Sequence, residues 1–598
     1  MTQLNDEQRA ALEADGDVLL VACPGSGKTR TLIYKIAAEL ERIKTHREFV
    51  VALTYTHVAA EEIRDRIDAM GIDTTQLWVG TIHSFCLNWI LRPYYLYHDS
   101  LKNGFAVIDT FETEELLDQL AKSHPPLRSH HDCKYYATES GYSLDRSMSA
   151  DQKQALNLVL EKYHAHLLDR KLIDFEMMLE FSYDLLLSHR PIATRLGQLI
   201  RFVAIDEYQD TRDIQYSIVA KIIRESQNQT SFFMVGDPNQ SIFGSLGGVA
   251  KSQVEIETLT GRSVQKLALH RNYRSSQVIV DYFGNFAVTP MKITASGELS
   301  DWPSSIVHDT SVAKVDLIQG IVRVVRLHTE TFQTAPENIC IVAPWWMHLA
   351  PITRALVREL PELNFNGPGL SPFGQNLDNF WFKVARIALT SAAPDVFRKR
   401  IRWAQEVVDD LVAHGYLKES FTARDLLKLT NGIVVDSDLG TVFLKSYFEE
   451  FCFQMGFEPA ASSELFEQRE SFFARMANRL ASISEKERVD VDDLETFRRV
   501  FRPRNGVVVS TIHGVKGAEF DVVIAFGLLE DIVPHFGEPE DEKEAVAKRL
   551  LFVIGSRARK HLYLISETGR GTRYYPKFQS RVLLSVKDYP YASLSVMD

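Results

Sequence analysis

The sequence predicts an α/β protein with two domains built on parallel sheets, each interrupted by a mainly helical insertion. Short apolar runs alternate with helical patterns along the chain, which is typical of strands that are buried on both faces of a parallel sheet. Two long stretches, residues 86–196 and about 372–503, are helix-like and contain no comparable series of strands. At 598 residues the chain is too long for a single hydrophobic core, so several domains are expected.

The predicted strands lie in two groups along the chain. The first group consists of residues 18–21, 49–53, 199–205 and 232–235, and the second of residues 339–343, 507–509, 521–526 and 561–565. Helical patterns separate most of these runs. Each group therefore predicts one parallel sheet.

A phosphate-binding loop is predicted directly after the first strand. Residues 22–29 read Ala-Cys-Pro-Gly-Ser-Gly-Lys-Thr and precede a helical pattern. A strand, a glycine-bearing loop ending in Gly-Lys-Thr and a helix form a P-loop, whose backbone N–H groups and helix N-terminus cradle phosphate oxygens. Lys28 is expected to reach the β- and γ-phosphates and the Thr29 hydroxyl to hold Mg²⁺. Ala22 stands where the pattern usually has glycine, a mild departure because alanine is also small.

Two adjacent carboxylates follow the predicted strand 199–205. In a P-loop enzyme an Asp at a strand end completes the coordination of Mg²⁺, which assigns this role to Asp206. The next residue, Glu207, can polarise the water that attacks the γ-phosphate. Adjacent side chains on a strand point in opposite directions, so the pair can converge only where the backbone leaves the regular strand.

Composition and charge restrict the environment of the protein. The net charge of −12 argues against a protein coated in nucleic acid, but not against a local basic groove. The five cysteines lie far apart and predict neither a disulfide framework nor a zinc or iron–sulfur site, which fits a reducing cytoplasm. Cys23 in the phosphate loop is either a redox-sensitive thiol or a small space-filling residue. No signal peptide and no membrane span are expected, and therefore no membrane partner.

Further motifs recur in order along nearly the whole chain and resemble those of superfamily 1 helicases of the UvrD/Rep type. One of them is Thr-Ile-His-Gly-Val-Lys-Gly at positions 511–517. The matching segments, besides the P-loop and the Asp206–Glu207 pair, are residues 4–8, 53–60, 80–86, 172–175, 235–243, 272–275, 511–520 and 551–558. A single such segment is weak evidence, whereas the ordered series is strong evidence.

The resemblance implies two RecA-like P-loop domains with inserted helical subdomains. The implied bounds are residues 1–85 and 197–270 for core domain 1A, 86–196 for helical insertion 1B, 271–371 and 504–598 for core domain 2A, and 372–503 for a short helical insertion 2B.

The resemblance also implies that ATP lies between the two core domains. Lys28, Glu207 and Gln240 would act from one side, with Gln240 sensing the γ-phosphate. Arg274 and Arg557 would stabilise the transferring charge from the other side. The residues implied to hold ATP are Gln8 on the base, Ala22, Pro24, Gly25, Ser26, Gly27, Lys28 and Thr29 at the phosphates, Arg30 and Tyr273 around adenine, and Glu519 near the ribose. Thr29 and Asp206 are the implied Mg²⁺ ligands.

A single-stranded DNA path is implied along the same two domains. The residues carried over to it are Thr54, Tyr55, Thr56, His83, Ser84, Phe243, Thr511 and His513. Tyr55 either stacks on a base or packs in the core. His83 and His513 match histidines of the family and have no metal-ligand partner at a suitable spacing.

Two segments depart from the family pattern. Ser245 and Leu246 replace an aromatic residue and an arginine after the 235–243 motif, and a lost base–aromatic stack is worth roughly 1–3 kcal/mol. Phe243 could supply part of that stack. Pro344 and Trp346 stand where the family commonly has an Arg and an Asn. Trp345 and Trp346 either stack on bases or serve in packing.

The function that follows is an ATP- and Mg²⁺-dependent DNA translocase or helicase, with 3′-to-5′ polarity implied by the resemblance. One alternative is a nucleotide-responsive DNA-sensing subunit of a nuclease complex with little unwinding activity, which the changes at Ser245 and Leu246 favour. Another alternative is a housekeeping DNA repair helicase.

The short second insertion and residues 44–46 and 90–93 resemble the helicase subunit of Gabija anti-phage systems. That resemblance implies a separate nuclease subunit, in a hetero-oligomeric complex that acts on a single strand or a tailed duplex.

Overall fold

Two six-stranded parallel sheets organise the chain. The computed structural model describes residues 4–145, 148–367, 372–374, 379–394, 396–418, 420–458, 462–487, 492–501, 506–572, 575–593 and 596. Within these residues the strands of the first sheet lie side by side in the order Gln265–Leu269, Val18–Ala22, Ser231–Gly236, Ile200–Asp206, Phe49–Thr54 and Leu77–Thr81. Those of the second sheet lie in the order Ser305–Asp309, Ala558–Ile565, Phe520–Phe526, Ile339–Ala343, Val507–Thr511 and Phe365–Asn366. All pairings in both sheets are parallel. The predicted α/β class with two parallel sheets is confirmed.

The first core domain begins with alternating helices and strands. Its first elements are α1 (Asp6–Glu13), β1 (Val18–Ala22), α2 (Lys28–Arg42), β2 (Phe49–Thr54), α3 (His57–Ala69) and β3 (Leu77–Thr81). Helix α1 begins at a capping box in which Asn5 and Gln8 exchange side-chain and backbone hydrogen bonds. Strand β3 was not among the predicted strands.

The first insertion leaves the sheet after β3 and contains short strands as well as helices. Its elements are α4 (Ile82–Phe85), a π-helical turn (Cys86–Leu91), α5 (Arg92–Tyr94), β4 (Ala106–Val107), α6 (Thr110–Lys122), β5 (Tyr135–Thr138), β6 (Gly141–Leu144), α7 (Ala150–Asp169), β7 (Leu172–Ile173), α8 (Phe175–Ser188) and α9 (Arg190–Leu199). Strands β5 and β6 form an antiparallel hairpin, and β4 pairs with β7 in parallel. These short strands lack the continuous apolar runs from which strands were predicted.

The chain then returns to the first sheet. The elements that complete the first core domain are β8 (Ile200–Asp206), α10 (Asp213–Glu225), β9 (Ser231–Gly236), α11 (Gln253–Thr260) and β10 (Gln265–Leu269). Side chains of β1 alternate between the two faces of this sheet, because successive residues of a strand point in opposite directions. Leu19 and Val21 pack with the first insertion, whereas Leu20 packs beneath α2 and α3.

The elements after β10 lead into the second core domain and its sheet. They are β11 (Arg271–Asn272), α12 (Gln277–Gly284), β12 (Thr294–Ala295), β13 (Ser305–Asp309), α13 (Leu317–Arg326), β14 (Ile339–Ala343), α14 (Trp346–Glu359) and β15 (Phe365–Asn366). Alternate residues of β14 pack on opposite faces of the second sheet, with Cys340 and Val342 on one side and Ile339 and Ile341 on the other.

The second insertion is helical in its described residues and has a hydrophobic core of its own around Trp381. Its helices are α15 (Phe380–Ala388), α16 (Phe397–Ala413), α17 (Ala423–Thr430), α18 (Gly440–Met455), α19 (Ser463–Glu487) and α20 (Leu494–Arg499). The second core domain then resumes with β16 (Val507–Thr511), β17 (Phe520–Phe526), α21 (Lys543–Arg557), β18 (Ala558–Ile565), β19 (Gly571–Thr572), β20 (Tyr575–Pro576) and α22 (Arg581–Leu584).

Charged side chains hold the second insertion against α3 of the first core domain. Arg402 on α16 donates to the carboxylates of Asp65 and Asp68, the latter at 3.0 Å. Arg386 Nη1 lies 3.5 Å from Glu61 Oε1 on the same helix. Because α3 directly follows the end of β2, this contact joins the second insertion to the segment that contains residues 54–56.

None of the described helices combines the length and the apolar character that a membrane span requires.

Candidate functional site

The predicted phosphate loop joins β1 to α2 at the carboxyl end of the first sheet. Ala22 is the buried last residue of β1, and α2 begins at Lys28 and Thr29. Gly27 caps α2 without a side-chain hydrogen bond, which leaves the first N–H groups of the helix available to an anion. The Ser26 hydroxyl donates to the Cys23 carbonyl at 2.7 Å and closes the loop on itself.

Cys23 lies in this loop as a buried, protonated thiol. Burial raises its pKa to about 12, with the nearby Asp237 charge adding to the effect. Only the thiolate is reactive, so the space-filling interpretation of Cys23 fits better than the redox interpretation.

Two loop glycines have left-handed backbone conformations and close neighbours. Gly25 has φ +67° and Gly27 has φ +79°. A Cβ atom at Gly25 would lie 2.6 Å from the Arg274 Cβ, and one at Gly27 would lie 2.7 Å from the Gln8 Nε2. Side chains from α1 and from the second core domain are therefore pressed against the phosphate loop.

The acidic pair converges on Lys28 because the backbone turns sharply after β8. Asp206 is the last residue of β8, and Glu207 follows with φ +53°, a left-handed conformation. The Glu207 N–H donates to Asp206 Oδ1 at 3.0 Å, and Glu207 Oε1 lies 3.6 Å from the Lys28 Nζ. This turn is what brings two adjacent acidic side chains toward one site.

The two carboxyl groups differ in their tendency to ionise. Burial, reinforced by the Glu207 charge, raises the pKa of Asp206 to about 7. Burial also works to raise the pKa of Glu207, but the Lys28 and Lys516 ammonium groups lower it to about 2. Glu207 is thus the ionised partner of the lysines. Asp206 is a desolvated acid that a divalent cation would stabilise in its charged form.

Arg557 and Arg274 reach this site from the second core domain. Arg557, at the end of α21, is 1% exposed and donates to Gln240 Oε1 at 2.8 Å and to the Ala518 carbonyl at 3.1 Å. Burial lowers its pKa to about 9, and the neighbouring Arg274 charge lowers it further. Arg274 Nε donates to Glu519 Oε2 at 2.7 Å. The Arg274 Cβ lies against Gly25, and the Arg557 charge helps to lower the pKa of Glu207, so both predicted arginines lie beside the phosphate loop and the acidic pair.

Gln240 is held between the two core domains. Its Nε2 donates to Asp237 Oδ2 at 2.7 Å, within the motif that follows β9. Its side-chain oxygen accepts from Arg557, as described above. Any movement between the core domains must therefore change the contacts of Gln240.

Two residues at this junction received no role from sequence reasoning. Lys516 donates to Asp210 Oδ2 and, at 2.7 Å, to the Gln240 carbonyl, and its Nζ lies 3.9 Å from Glu207 Oε2. Asn272 Nδ2 donates to the Pro24 carbonyl of the phosphate loop at 2.7 Å. Both residues lie inside motifs that were identified from the sequence. Those motifs are the signal that could have pointed to Lys516 and Asn272.

Gln8 and Tyr273, which the family resemblance assigns to the adenine base, both contact the backbone of the phosphate loop. Gln8 Nε2 donates to the Ser26 carbonyl at 2.8 Å, so this amide group supports the loop. The Tyr273 N–H donates to the Gly25 carbonyl at 2.8 Å, and its ring is partly exposed.

Arg30 and Glu519 make different contacts around the same loop. The Arg30 guanidinium lies 5.9 Å from the Tyr34 ring centroid on the same helix. Glu519 is the partner of Arg274. Burial works to raise the pKa of Glu519, but the Arg274 charge lowers it below its usual range.

An aromatic surface formed by Tyr55, Phe243 and His513 spans the two core domains. The ring centroids of Tyr55 and Phe243 are 4.7 Å apart, and those of Phe243 and His513 are 5.2 Å apart. The Lys516 Nζ lies 5.3 Å from the Phe243 ring centroid. Tyr55 is 36% exposed, so part of its ring is open to solvent while it packs on Phe243.

The other residues assigned to the DNA path are mainly engaged in local structure. The hydroxyl of Thr54 donates to the Thr56 carbonyl at 2.8 Å, and Thr56 caps α3. The Ser84 hydroxyl is 3.0 Å from that of Thr81, and Thr511 Oγ1 accepts from the Gly514 N–H at 3.0 Å. These side chains shape the backbone of the site.

A cavity of about 240 Å³ lies between the acidic pair and the aromatic surface. Its lining includes Glu207, Tyr55, Arg212 and His83. Burial lowers the pKa of His83 to about 3, and the nearby Arg212 charge lowers it further. The neutral imidazole has a buried Nε2 that lacks a hydrogen-bond partner among the described residues. Space therefore connects the hydrolytic groups with the aromatic surface.

The positions that depart from the family pattern are described only in part. Leu246 is 44% exposed, whereas the side chain of Ser245 lies outside the described residues. Trp345 is partly exposed and its ring lies 4.6 Å from that of His535, while the side chain of Trp346 also lies outside the described residues.

Two family models match the chain. Residues 4–257 match the UvrD/REP helicase N-terminal domain, and residues 463–569 match the UvrD-like helicase C-terminal domain. Together these two segments make up more than half of the chain. They include the phosphate loop, the acidic pair, Gln240, Lys516 and Arg557.

Curated relatives share between a fifth and a third of the aligned residues. The chain is 28% identical to the ATP-dependent DNA helicase PcrA of Leuconostoc citreum, over 46% of this chain and 38% of that protein. It is 26% identical to the ATP-dependent DNA helicase SRS2 of Saccharomyces cerevisiae, over 47% of this chain and 26% of that protein. It is 25% identical to the ATP-dependent DNA helicase UvrD1 of Mycobacterium leprae, over 94% of this chain and 82% of that protein. The chain thus aligns with less than half of the first two relatives and with most of the third.

Proposed function

Because the chain belongs to the UvrD/Rep helicase family, we propose that it is an ATP-dependent DNA translocase or helicase. The observation that carries the proposal is the junction where Arg274 of the second core domain lies against the loop that ends at Lys28, and Arg557 lies beside Gln240 and Glu207. Phosphoryl transfer needs positioning and charge stabilisation more than covalent chemistry, and this junction offers cationic groups from both core domains.

ATP is the proposed substrate, with its phosphates on the loop that ends at Lys28. The N-terminus of α2 and the Lys28 ammonium would hold the phosphate oxygens. Arg557 and Arg274 would neutralise the negative charge that develops during transfer, a role for which planar, permanently charged guanidinium groups are suited. Gln8 and Tyr273 support the loop from the side that we assign to adenine.

Thr29 and Asp206 are the proposed ligands of Mg²⁺. Asp206 fits this role because it is 6% exposed and, among the described residues, its carboxylate accepts a hydrogen bond only from the Glu207 N–H. When bound, Mg²⁺ would neutralise phosphate charge. The ionised Glu207 would orient the attacking water and accept its proton.

Lys516 connects the proposed nucleotide site with the proposed nucleic-acid surface. It contacts Asp210 and Gln240 near the acidic pair and lies against the ring of Phe243. A change in cleft closure would therefore move the aromatic surface formed by Tyr55, Phe243 and His513, on which the bases of a single strand would stack. We assign 3′-to-5′ polarity to this movement on the basis of the motif resemblance.

A role beside a separate nuclease in anti-phage defence is the finer proposal. It rests on the resemblance to the helicase subunit of Gabija systems and implies a hetero-oligomeric complex in the cytoplasm. The five cysteines support a reducing compartment, since all of them are buried and the structure places none of them in a disulfide. Purification of the tagged protein from its native cells, followed by identification of a bound nuclease, tests this role. A housekeeping repair helicase would be recovered without one.

A DNA-sensing subunit with little unwinding activity is a second candidate. The exposed Leu246 beside Phe243 favours it, because an aliphatic side chain gives a base no aromatic face to stack on.

The decisive experiment measures ATP hydrolysis and strand separation together. ATPase rates are recorded with and without single-stranded DNA, and unwinding is recorded on duplexes with a 3′ tail, a 5′ tail or no tail. A translocase or helicase with the proposed polarity gives strong stimulation and unwinds only the 3′-tailed duplex. Stimulation without unwinding supports the sensor, and ATPase that ignores DNA contradicts both.

A further inference from the structure

The β5–β6 hairpin of the first insertion lies against the first core domain. The Ala137 N–H on β5 donates to Glu176 Oε2 at 2.8 Å, and both oxygens of Glu176 accept from Arg212 at 2.7 and 2.8 Å. At the tip of the hairpin, Glu139 accepts from the Ser217 hydroxyl on α10. These contacts fix the hairpin next to the residues that follow the acidic pair.

This fixed hairpin presses the ring of Tyr136 onto Gly247. A Cβ atom at Gly247 would lie 3.1 Å from the Tyr136 ring carbons Cδ2 and Cε2, so the ring packs directly over the glycine. The Arg212 guanidinium lies 5.9 Å from the centroid of the same ring. Tyr136 remains partly exposed in this position. A flat aromatic side chain is therefore held in one orientation at the protein surface.

The ring adjoins the aromatic surface formed by Tyr55, Phe243 and His513. Gly247 belongs to the turn after Phe243, and the N–H of the next residue, Gly248, donates to the Phe243 carbonyl at 3.1 Å. Arg212, which contacts the Tyr136 ring, lines the same cavity as Tyr55. Tyr136 thus extends that surface from a different domain.

The turn beneath Tyr136 has no aromatic residue of its own. Residues 244–247 read Gly-Ser-Leu-Gly, and Gly247 lies at φ +85°. A larger side chain at Gly247 would displace the ring. The small Gly247 therefore leaves room for the Tyr136 ring, on a turn that has no aromatic side chain of its own.

We propose that Tyr136 is a base-stacking residue of the single-strand path, supplied by the β5–β6 hairpin to the turn at residues 244–247. This inference rests on the proposed function and names one more contact of its nucleic-acid site. Stacking on a ring accepts any base, because every base has a π-face. The ligand is therefore single-stranded nucleic acid of any sequence, and the hairpin couples the first insertion to it.

Substitutions at Tyr136 separate stacking from simple packing. Tyr136→Phe keeps the flat ring, Tyr136→Leu keeps apolar volume without an aromatic face, and Tyr136→Ala removes both. Tyr97→Ala is the matched control, since Tyr97 lies in the same insertion and is 63% exposed. Affinity for a fluorescein-labelled oligothymidylate is measured by anisotropy at several salt concentrations with the full chain.

The proposal expects the Leu and Ala variants to bind about tenfold more weakly, while the Phe and Tyr97 variants bind as the unchanged protein does. The slope of log affinity against log salt should stay the same, because a ring neutralises no phosphate. A 2-aminopurine base in the oligonucleotide should be quenched by the unchanged protein and less by Tyr136→Leu. This readout would not respond to a packing role alone.

Tyr136→Leu binding and quenching at the unchanged level would overturn the inference and leave the proposed function intact. A Leu variant with a reduced salt slope would also overturn it, because the hairpin would then be positioning phosphate contacts. If the unchanged protein failed to bind the oligonucleotide, the proposed function would fail as well. Equal melting temperatures of the Phe and Leu variants establish that the hairpin still folds.

Discussion

The Arg557 guanidinium of the second core domain donates a 2.8 Å hydrogen bond to the Gln240 side chain of the first, between residues 317 positions apart in the chain. Both residues are buried. Gln240 is bound in turn to Asp237, and Arg557 to the Ala518 carbonyl. The bond therefore exists only while the two core domains face one another in this arrangement.

Arg557→Lys should abolish most ATP turnover. Lysine keeps the charge but cannot donate from one planar group to Gln240, Ala518 and the transferring phosphate. An arginine that completes a phosphoryl-transfer site is worth about 10³-fold or more in turnover, and we expect a loss of that order. The measurement is kcat for ATP with saturating single-stranded DNA. Arg358→Lys, at an exposed position of α14, serves as the control, and near-normal turnover of Arg557→Lys would remove Arg557 from the reaction.

Glu207→Gln should retain ATP binding and lose hydrolysis. Glutamine has nearly the same shape, but it can neither carry the charge that Lys28 and Lys516 stabilise nor accept a proton from water. General-base groups contribute about 10²- to 10⁴-fold, so kcat should fall by that amount. Binding of a fluorescent ATP analogue is measured beside turnover. A variant that hydrolyses ATP at close to the original rate would contradict the assigned role.

Much of the fold could be predicted from local patterns. Strands β1, β8, β9 and β14 coincide with apolar runs that were predicted within a residue or two, because strands buried on both faces need continuous apolar sequence. Strands β3, β10, β13 and β15 were missed. They are the edge strands of the two sheets, and because they are incompletely buried they need no continuous apolar run.

The candidate site could be predicted as a set of residues but not as an arrangement. Motifs identified Lys28, Asp206 and Arg557, since their chemistry is tied to short local spacings. The contacts of Lys516 depend on how two separately folded sheets face each other, and no local periodicity encodes that relation. Tyr136 was missed for the same reason, because its neighbour Gly247 belongs to another domain.

Lys516→Met should destabilise the protein more strongly as the pH rises. Burial raises the pKa of Asp210 to about 7 although Lys516 lowers it, so removing the lysine raises that pKa further. A carboxyl whose pKa is higher in the folded than in the unfolded state costs stability above its unfolded pKa, and the cost grows until the folded pKa is passed. Each pH unit in that window costs up to about 1.4 kcal/mol.

Melting temperatures measured from about pH 6 to about pH 8.5 check this linkage. The difference between the unchanged protein and Lys516→Met should widen toward the alkaline end. Adding Asp210→Asn to the variant removes the titrating group and should cancel the extra pH dependence. If the difference in melting temperature between the two proteins stayed constant across this range, the loss of stability would not come from the ionisation of Asp210.

Gly25→Ala should impair ATP turnover far more than Gly16→Ala. Both glycines have left-handed backbones, with φ +67° and +81°, so both substitutions carry a similar conformational cost of about 1–2 kcal/mol. At Gly25 the added Cβ meets the Arg274 Cβ at 2.6 Å and the Asn272 Nδ2 at 3.0 Å, whereas at Gly16 nothing lies within 4 Å. The comparison therefore separates displacement of Arg274 and Asn272, two neighbours from the second core domain, from backbone strain.

The steady-state ATPase rate and the melting temperature of both glycine variants give the test. We expect similar losses of thermal stability and a turnover that falls at least about tenfold only in Gly25→Ala, where Arg274 is moved from the phosphate loop. Equal turnover in the two variants would show that the loop tolerates the added methyl group and that Arg274 need not lie against it.

Arg402→Glu should release the second insertion from α3. Arg402 is paired with Asp65 and Asp68 at the junction of α16 and α3, so a carboxylate there replaces attraction by repulsion. These side chains are partly exposed, and each pair is worth no more than about 1 kcal/mol, so the protein should still fold. Hydrogen exchange of the α3 and α16 amides reports the release as faster exchange in both helices. Arg424→Glu changes an exposed arginine on α17 by the same charge and should leave both helices protected.

A charge swap tests whether the Arg402–Asp65 contact holds the second insertion on α3. Arg402→Glu combined with Asp65→Arg restores an opposite pair at the same place, so protection of α3 should recover in part, although Asp68 then faces the new carboxylate. Salt should weaken the junction in the unchanged protein, because partly exposed pairs are screened within a Debye length of about 8–10 Å. If Arg402→Glu left the exchange of α3 unchanged at low salt, apolar packing around Trp403 would be the force that docks the insertion.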